Sequence, residues 1–251
     1  MPAVAIIVSV FLAYLLWADG QGTPFIGPPK IPKHPWGPFQ PGDRVIIIGL
    51  PLSGKTYLAG KLTAPAKRIL FFDPYHDYEE AAGAEEIAAD DLIADPKILN
   101  KSEFRYAIIP DEDFLAEQLE DVVSIARAAG NLVLVMDEVG DYKRNATLTM
   151  EKLARNGRHN GIVPVYVSQV AMDIPRTVRR IATRVYSFRQ EDIDDIEALS
   201  ERYGEDYANR VRNLGLHRHA LWTLKGFGDT SDSKASPGQS SKEAQSSTKV
   251  E

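Results

Sequence analysis

The chain has 251 residues, of which 44% are hydrophobic, and this is enough for one sizeable α/β domain with appendages. Its formal net charge of −6 argues against a protein that coats nucleic acid over its whole surface, although a local basic patch stays compatible with it. The absence of cysteine excludes disulfides, thiolate metal sites and thiol nucleophiles. The five histidines show no metal-binding spacing, so we expect no structural metal.

Residues 3–18, AVAIIVSVFLAYLLWA, form an uncharged apolar run, and residues 1–18 are therefore predicted to be a short transmembrane anchor. A buried core helix and a cleaved signal peptide are the alternatives. The signal peptide is disfavoured because no Lys or Arg precedes the run. Lys30, Lys33 and Arg44 follow it, so the positive-inside rule predicts a single-pass membrane protein with the rest of the chain on the cytoplasmic side.

Residues 19–42 are rich in proline and glycine and predict a semi-rigid, partly polyproline linker. In the alternative interpretation, Trp36 and Phe39 pack this arm on the following domain or on a neighbouring subunit. Residues 43–228 are predicted to form one folded domain, and the polar residues 229–251 a disordered tail.

The most informative stretch is residues 44–62, RVIIIGLPLSGKTYLAGKL, where a β-rich apolar run leads through GLPLSGKT into a helical pattern. This is the GxxxxGK[ST] motif between a strand and a helix, the context expected of a phosphate-binding P-loop. Its glycines let backbone N–H groups wrap phosphate, and the helix presents its positive end to the same anion. Lys55 is expected to reach the β- and γ-phosphates of ATP, and Thr56 to hold Mg²⁺. The predicted nucleotide cradle consists of Gly49, Pro51, Ser53, Gly54, Lys55 and Thr56.

Apolar runs and helical patterns alternate through the rest of the domain. An acidic helical region follows the second strand, and helices are expected at 112–129, 147–156 and within 192–213, with a possible edge strand at 220–224. The alternation predicts an α/β fold of the P-loop NTPase type, a mostly parallel sheet with helices on both faces. The other strands are predicted at residues 68–73, 105–110, 132–137, 162–169 and 183–189.

The buried strand LVLVM delivers Asp137 and Glu138 at its carboxyl end, as in a Walker B motif downstream of a P-loop. Asp137 is expected to contact Mg²⁺, directly or through water, and Glu138 to polarise the attacking water. The pair favours hydrolysis over simple nucleotide sensing. Gln169 ends the next strand, where it is expected to sense the γ-phosphate or position water, or else to face solvent as an ordinary polar strand end.

Three further segments carry a resemblance to a known superfamily. DPYHDY at 73–78 is similar to a DPxx[DE]Y pattern, RNGRHNGI at 155–162 with SQ at 168–169 is similar to RxxGI…TQ, and IATRVYSF at 181–188 is similar to TRhxF. With both nucleotide motifs, residues 44–189 resemble the FtsK/HerA-type P-loop ATPases. That resemblance implies a multimeric motor, commonly a hexameric ring, which moves DNA or sometimes protein by ATP hydrolysis.

The small size and the GRH segment look most like the genome-packaging ATPases of membrane-containing, tectivirus-like viruses. This implies a membrane-anchored motor that translocates double-stranded DNA into a capsid, seated at an internal viral membrane, with capsid or portal proteins as further partners. The N-terminal anchor and Ser168 in place of a threonine depart from the pattern. The alternatives are a zonular occludens toxin-like ATPase for filamentous-phage extrusion, a conjugation-type coupling ATPase, and a scaffold that binds nucleotide without hydrolysing it.

The later half of the domain is basic, with ten Lys and Arg residues against two acids between Lys143 and Arg189. Most of these are expected to form a solvated face, but the asymmetry places any double-stranded DNA contact in this region. Arg158 or Arg155 is a candidate arginine finger that completes a neighbouring subunit's site. Three more are candidates for contacts with DNA phosphate: Arg176, Arg179 and Arg180.

Overall fold

The computed structural model describes residues 34–224 and 226–228. The predicted anchor at 1–18, the linker up to residue 33 and the tail at 229–251 lie outside these described residues. Within the described ranges, no helix combines the length and the apolar character needed to cross a bilayer.

The described strands form a nine-stranded sheet in the order β3-β4-β2-β5-β6-β1-β7-β8-β9. Neighbouring strands from β3 to β7 are parallel, whereas β8 and β9 are antiparallel additions at one edge. The strands are β1 (Val45–Ile48), β2 (Arg68–Phe72), β3 (Glu85–Ala88), β4 (Phe104–Ile109), β5 (Leu132–Met136), β6 (Ile162–Ser168), β7 (Arg184–Phe188), β8 (His219–Thr223) and β9 (Gly226–Gly228).

Helices cover both faces because the central strands are apolar on both sides. Ile46 and Ile48 of β1 point into one core and Val45 and Ile47 into the other, so every residue of this strand is buried. The helices up to residue 82 cover the core that contains Val45 and Ile47. The helices after residue 82 cover the core that contains Ile46 and Ile48. The helices are α1 (Lys55–Thr63), α2 (Tyr78–Ala82), α3 (Ala89–Ala94), α4 (Leu115–Ala129), α5 (Val139–Asn156), α6 (Arg176–Ile181), α7 (Ile193–Tyr203) and α8 (Glu205–Arg212).

The predicted α/β fold with a mostly parallel sheet is confirmed, but two elements differ from the sequence prediction. Strand β3 lies in the region predicted to be an acidic helix; it is an edge strand with exposed glutamates, so it has no apolar pattern to reveal it. Helix α5 begins at Val139 rather than residue 147, because Glu138 takes a left-handed conformation that starts the helix directly after β5. The early Gly140 hides this start in the sequence.

The described part of the proline-rich arm, residues 34–42, packs on the domain. Trp36 and Phe39 are buried in the core that α1 also covers. The Trp36 indole N–H donates a hydrogen bond to the Gly161 carbonyl at 2.5 Å. The backbone N–H of Lys67 donates to the Pro35 carbonyl at 2.9 Å. Residues 34–42 therefore do not form a free linker. They follow the alternative in which the arm packs on the domain, because the two aromatic rings cover apolar surface of the sheet.

Candidate active site

The strand order brings three loop segments to one edge of the sheet. Strand β1 lies between β6 and β7, and β5 lies beyond β6. All of these strands are parallel, so the segments that follow β1, β5 and β6 leave from the same carboxyl edge. The P-loop, Asp137, Glu138 and Gln169 therefore meet at this edge, as the sequence motifs predict.

The loop between β1 and α1 is shaped as a cradle. A Cβ on Gly49 would lie 2.6 Å from both the Phe188 Cβ and the Ser53 Oγ, so no larger residue fits there. Gly54 has a φ of 102°, which favours glycine. The Ser53 hydroxyl is buried without a hydrogen-bond partner among the described residues. A narrow glycine turn with an unsatisfied buried donor before a helix N-terminus fits a phosphate group. Pro51 lies in the same turn and is exposed.

Lys55 begins α1 and is only 6% exposed. Its Nζ lies 3.9 Å from the Glu138 Oε1 and 3.4 Å from the Leu50 carbonyl. Burial lowers the pKa of Lys55, and the charges of Glu138, Asp137 and Asp77 oppose that change. The ammonium group therefore faces the two carboxylates predicted for metal binding and for base catalysis.

Asp137 follows β5 and is 3% exposed. Its backbone N–H donates to the Phe72 carbonyl at 3.1 Å, and its Oδ1 accepts the Glu138 backbone N–H at 2.9 Å. Burial is the main cause that raises the pKa of Asp137 to about 7, and the charges of Glu138 and Asp73 add to it. A buried carboxyl whose ionised form is disfavoured in this way suits a divalent ion, and Thr56 lies half-buried in the first turn of α1. These two residues are those that would hold Mg²⁺.

Glu138 stands at the start of α5 with φ 44° and ψ 53°, a left-handed conformation that is rare for a residue with a Cβ. Burial raises the pKa of its carboxyl, while the charge of Lys55 and a hydrogen bond from the Gln169 side chain lower it. Gln169 is half-buried and its side chain is directed at Glu138, so it is more than a polar strand end. Backbone strain of this kind concentrates at functional sites, so the fold holds Glu138 where helix geometry alone would not.

Two acids of the DPYHDY segment belong to the same site, although no nucleotide-binding motif in the sequence contains either of them. Asp73 is buried, and its carboxylate accepts the backbone N–H groups of Asp77 at 3.1 Å and Tyr78 at 2.9 Å. Burial, followed by the charge of Asp73, raises the pKa of Asp77, while the charge of Lys55 lowers it. Strand β2 pairs with β5, which brings Asp73 next to Asp137. Only the strand order could have revealed this proximity.

The two candidate arginine fingers lie away from this edge. Arg155 is in the last turn of α5, and Arg158 is in the 3₁₀ turn Gly157–Asn160 that precedes β6. They therefore lie at the amino ends of the parallel strands, opposite the P-loop. Neither can reach the nucleotide of its own subunit, so a finger role in a neighbouring subunit stays a prediction.

The basic loop after Gln169 is largely occupied with intramolecular contacts. The Arg179 guanidinium donates to the carbonyls of Ala171 at 2.8 Å and Ile174 at 3.0 Å. Arg176 forms an exposed ion pair with Glu201 at 3.4 Å. The Arg179 Nη1 is therefore engaged by loop carbonyls, and a contact of Arg176, Arg179 or Arg180 with DNA phosphate stays a prediction. Arg180 remains exposed.

Comparison with known proteins relates this fold to solved ATPases. No protein-family model and no curated protein matches the chain. The genome-packaging NTPase B204 from Sulfolobus turreted icosahedral virus 2, in complex with AMP, matches with a TM-score of 0.58 and 19% identity, covering 74% of this chain and 95% of that chain. B204 from Sulfolobus Turreted Icosahedral Virus, described as a DNA-packaging ATPase, matches with a TM-score of 0.56 and 21% identity, covering 74% and 95%.

The cytoplasmic domain of the type VII secretion ATPase EccC from Thermomonospora curvata also matches, with a TM-score of 0.50 and 15% identity. This match covers 73% of the present chain and 24% of EccC. At these identities the comparisons establish the fold. The structural neighbours of this chain thus include viral genome-packaging NTPases and a type VII secretion ATPase, and they confirm the P-loop NTPase fold that the predicted resemblance implies.

Proposed function

We propose that the chain is an ATP-hydrolysing motor that moves double-stranded DNA, and that it packages a viral genome. The observation that carries the hydrolysis step is the arrangement around Glu138. Its carboxylate follows the Walker B strand, is contacted by Gln169, and lies 3.9 Å from the ammonium group of the P-loop lysine. A nucleotide sensor needs no carboxylate in that place, whereas a hydrolase needs a group that takes a proton from water.

Each side chain of the site has a distinct role in this proposal. The P-loop N–H groups and Ser53 bind the phosphates, and Lys55 contacts the terminal ones. Thr56 and Asp137 hold Mg²⁺, which when bound neutralises negative charge on the phosphate oxygens. Glu138 accepts the proton of the attacking water, and Gln169 orients its carboxylate. Because ATP competes with Glu138 for the Lys55 ammonium, nucleotide binding frees the carboxylate for that task.

A measurement of ATP binding tests the phosphate site. Lys55→Ala should lose ATP binding and hydrolysis, because it removes the ammonium group that faces the phosphates. Lys61→Ala is the matched control, since Lys61 lies on the same helix and is exposed. Equal turnover in wild type and Lys55→Ala would refute the proposal that ATP is hydrolysed at this P-loop.

The DNA cargo is proposed from the neighbours, which are described as genome-packaging or DNA-packaging enzymes. The assay is ATP turnover by the full chain with double-stranded DNA, with single-stranded DNA and with neither. We expect the largest stimulation with double-stranded DNA. Turnover that is insensitive to both would count against DNA transport and favour the extrusion motor or a protein cargo.

The anchor and the ring also belong to the proposal. Residues 3–18 would attach the motor to a membrane, and removal of residues 1–18 should abolish binding to liposomes. In a ring, Arg155 or Arg158 would complete the site of the next subunit. Mixing Lys55→Ala subunits with Arg158→Ala subunits should then restore some activity, and no recovery with normal assembly would contradict the finger assignment.

A further inference from the structure

A loop from the far end of the sequence lies directly against the P-loop. It connects α8 to β8 and comprises residues 213–218. The His217 Nδ1 lies 3.2 Å from the Ser53 carbonyl, across 164 residues of sequence. A side chain built on Gly54 would begin 3.9 Å from the same nitrogen. Because a carbonyl only accepts hydrogen bonds, the Nδ1 carries the proton and donates it.

The fold holds this loop in a strained shape with its tip in solvent. His217 has a φ of 56°, which is uncommon for a residue with a Cβ. Leu214 is buried in the core at one end of the loop, and the Arg218 N–H closes a turn to the Gly215 carbonyl at 3.2 Å. Leu216 between them is 79% exposed. Leu216 directly precedes His217, whose ring nitrogen contacts the P-loop carbonyl, so this exposed apolar residue is available to a ligand that extends from the P-loop.

The strand order tells which part of a nucleotide faces this loop. Glu138 and Gln169 follow β5 and β6, on one side of β1, whereas the loop joins β8 on the other side, beyond β7. A triphosphate that extends along the P-loop with its terminal phosphate at Glu138 directs its other end towards β7 and β8. That end carries the nucleoside.

We infer that Leu216 and His217 form a nucleoside wall, a surface that contacts the base or ribose of the bound nucleoside triphosphate. The inference rests on the proposed function and adds the nucleoside-binding part of the same site. With its Nδ1–H engaged by Ser53, His217 presents a fixed ring face on which a base can stack. Leu216 adds an apolar contact beside it. The P-loop supplies phosphate affinity, and the wall supplies the affinity that distinguishes a nucleotide from inorganic phosphate.

The test compares the binding of ATP and of inorganic tripolyphosphate to the full chain, by calorimetry in the presence of Mg²⁺. Leu216→Ala removes only the apolar contact. His217→Asn removes the ring but keeps an amide donor for the Ser53 carbonyl, and asparagine tolerates the left-handed backbone. Each variant should weaken ATP binding about tenfold, as expected for the loss of one stacking or apolar contact, and should leave tripolyphosphate binding unchanged. Leu148→Ala and His34→Ala are the controls, since both side chains are exposed and lie elsewhere.

Two results would overturn the inference. If a variant weakens ATP and tripolyphosphate equally, the loop only supports the P-loop. If neither variant changes ATP binding, the loop does not contact the nucleoside. Failure of the proposed function looks different, because a wild-type chain that binds neither ligand would refute the phosphate site itself and the wall with it.

Discussion

The substitution Asp137→Asn is expected to stabilise the nucleotide-free chain at neutral and alkaline pH, although it should impair hydrolysis. Burial, with the charges of Glu138 and Asp73, raises the pKa of Asp137 from 3.8 to about 7. A rise of about 3 units corresponds to at most about 4 kcal/mol in the free energy of unfolding. Asparagine keeps an oxygen that can accept the Glu138 N–H, so the fold loses little in exchange.

The direction of the pH dependence follows from the sign of this shift. The folded chain binds the Asp137 proton more tightly than the unfolded chain does, so the stabilising contribution is complete below about pH 4. It is lost progressively as the pH rises to about 7, because the unfolded chain ionises first. Glu138 and Asp77 also have raised pKa values and contribute in the same direction. The asparagine side chain of the variant cannot ionise, so the variant should keep only the part of the pH dependence that the other groups cause, among them Asp121 and Asp195, whose pKa values burial also raises.

The assay is thermal unfolding between pH 5 and 8 without nucleotide or Mg²⁺. The wild-type Tm should fall as the pH rises, and the Tm of Asp137→Asn should fall less and exceed the wild-type value at pH 8. Asp91→Asn is the control, because Asp91 is exposed on α3. Parallel pH curves for wild type and Asp137→Asn, or a less stable variant at pH 8, would refute the assignment of a destabilising buried carboxylate.

Three further substitutions test the scaffold. Arg68→Leu should lower the free energy of unfolding by about 3 kcal/mol or more, because the buried Arg68 guanidinium donates to five backbone carbonyls; chemical denaturation measures the loss. Trp36→Ala should cost about 3 kcal/mol in the same assay through lost indole packing and the lost bond to Gly161. Gly140→Ala should reduce turnover, because the added Cβ would lie 2.7 Å from the Asp173 Oδ2, near the N-terminus of α5 that follows Glu138. The loss of turnover should be smaller when Gly140→Ala is introduced into an Asp173→Ala variant.

Each of these three predictions has a result that would contradict it. If Arg68→Leu is as stable as the wild type, water must hydrogen-bond to the backbone carbonyls that the guanidinium contacts. Wild-type stability of Trp36→Ala, with His34→Ala as the exposed control, would mean that the arm is not part of the folded body in solution. Additive effects of Gly140→Ala and Asp173→Ala on turnover would show that the two positions are not coupled.

The nucleotide motifs could be predicted from the sequence because they are local. Gly49 to Thr56 and the strand before Asp137 each carry a complete signal within a few neighbouring residues. The buried parallel strands were equally visible, since strands covered on both faces are continuous apolar runs. The exposed edge strand Glu85–Ala88 carried no such signal, because it is held by backbone hydrogen bonds and its side chains do not need to be apolar.

The rest of the site depends on long-range contacts that a sequence pattern does not contain. Asp73 is close to Asp137 only because β2 pairs with β5, and His217 reaches Ser53 only because β8 adds to the edge beyond β7. Arg179 looks like a free cation in the sequence, but its Nη1 donates hydrogen bonds to two loop carbonyls. Trp36 looks like part of a spacer until the apolar surface that it covers is known.

The most direct test of the central claim is ATP turnover by Glu138→Gln, with ATP binding measured on the same preparation. We expect a loss of kcat on the order of 10²- to 10⁴-fold, because the substitution removes the proton acceptor and keeps the shape of the side chain. ATP affinity should stay close to the wild-type value, since the P-loop and Lys55 are intact. Unchanged turnover in Glu138→Gln would contradict the account, because hydrolysis would then proceed without the carboxylate on which the proposed site depends.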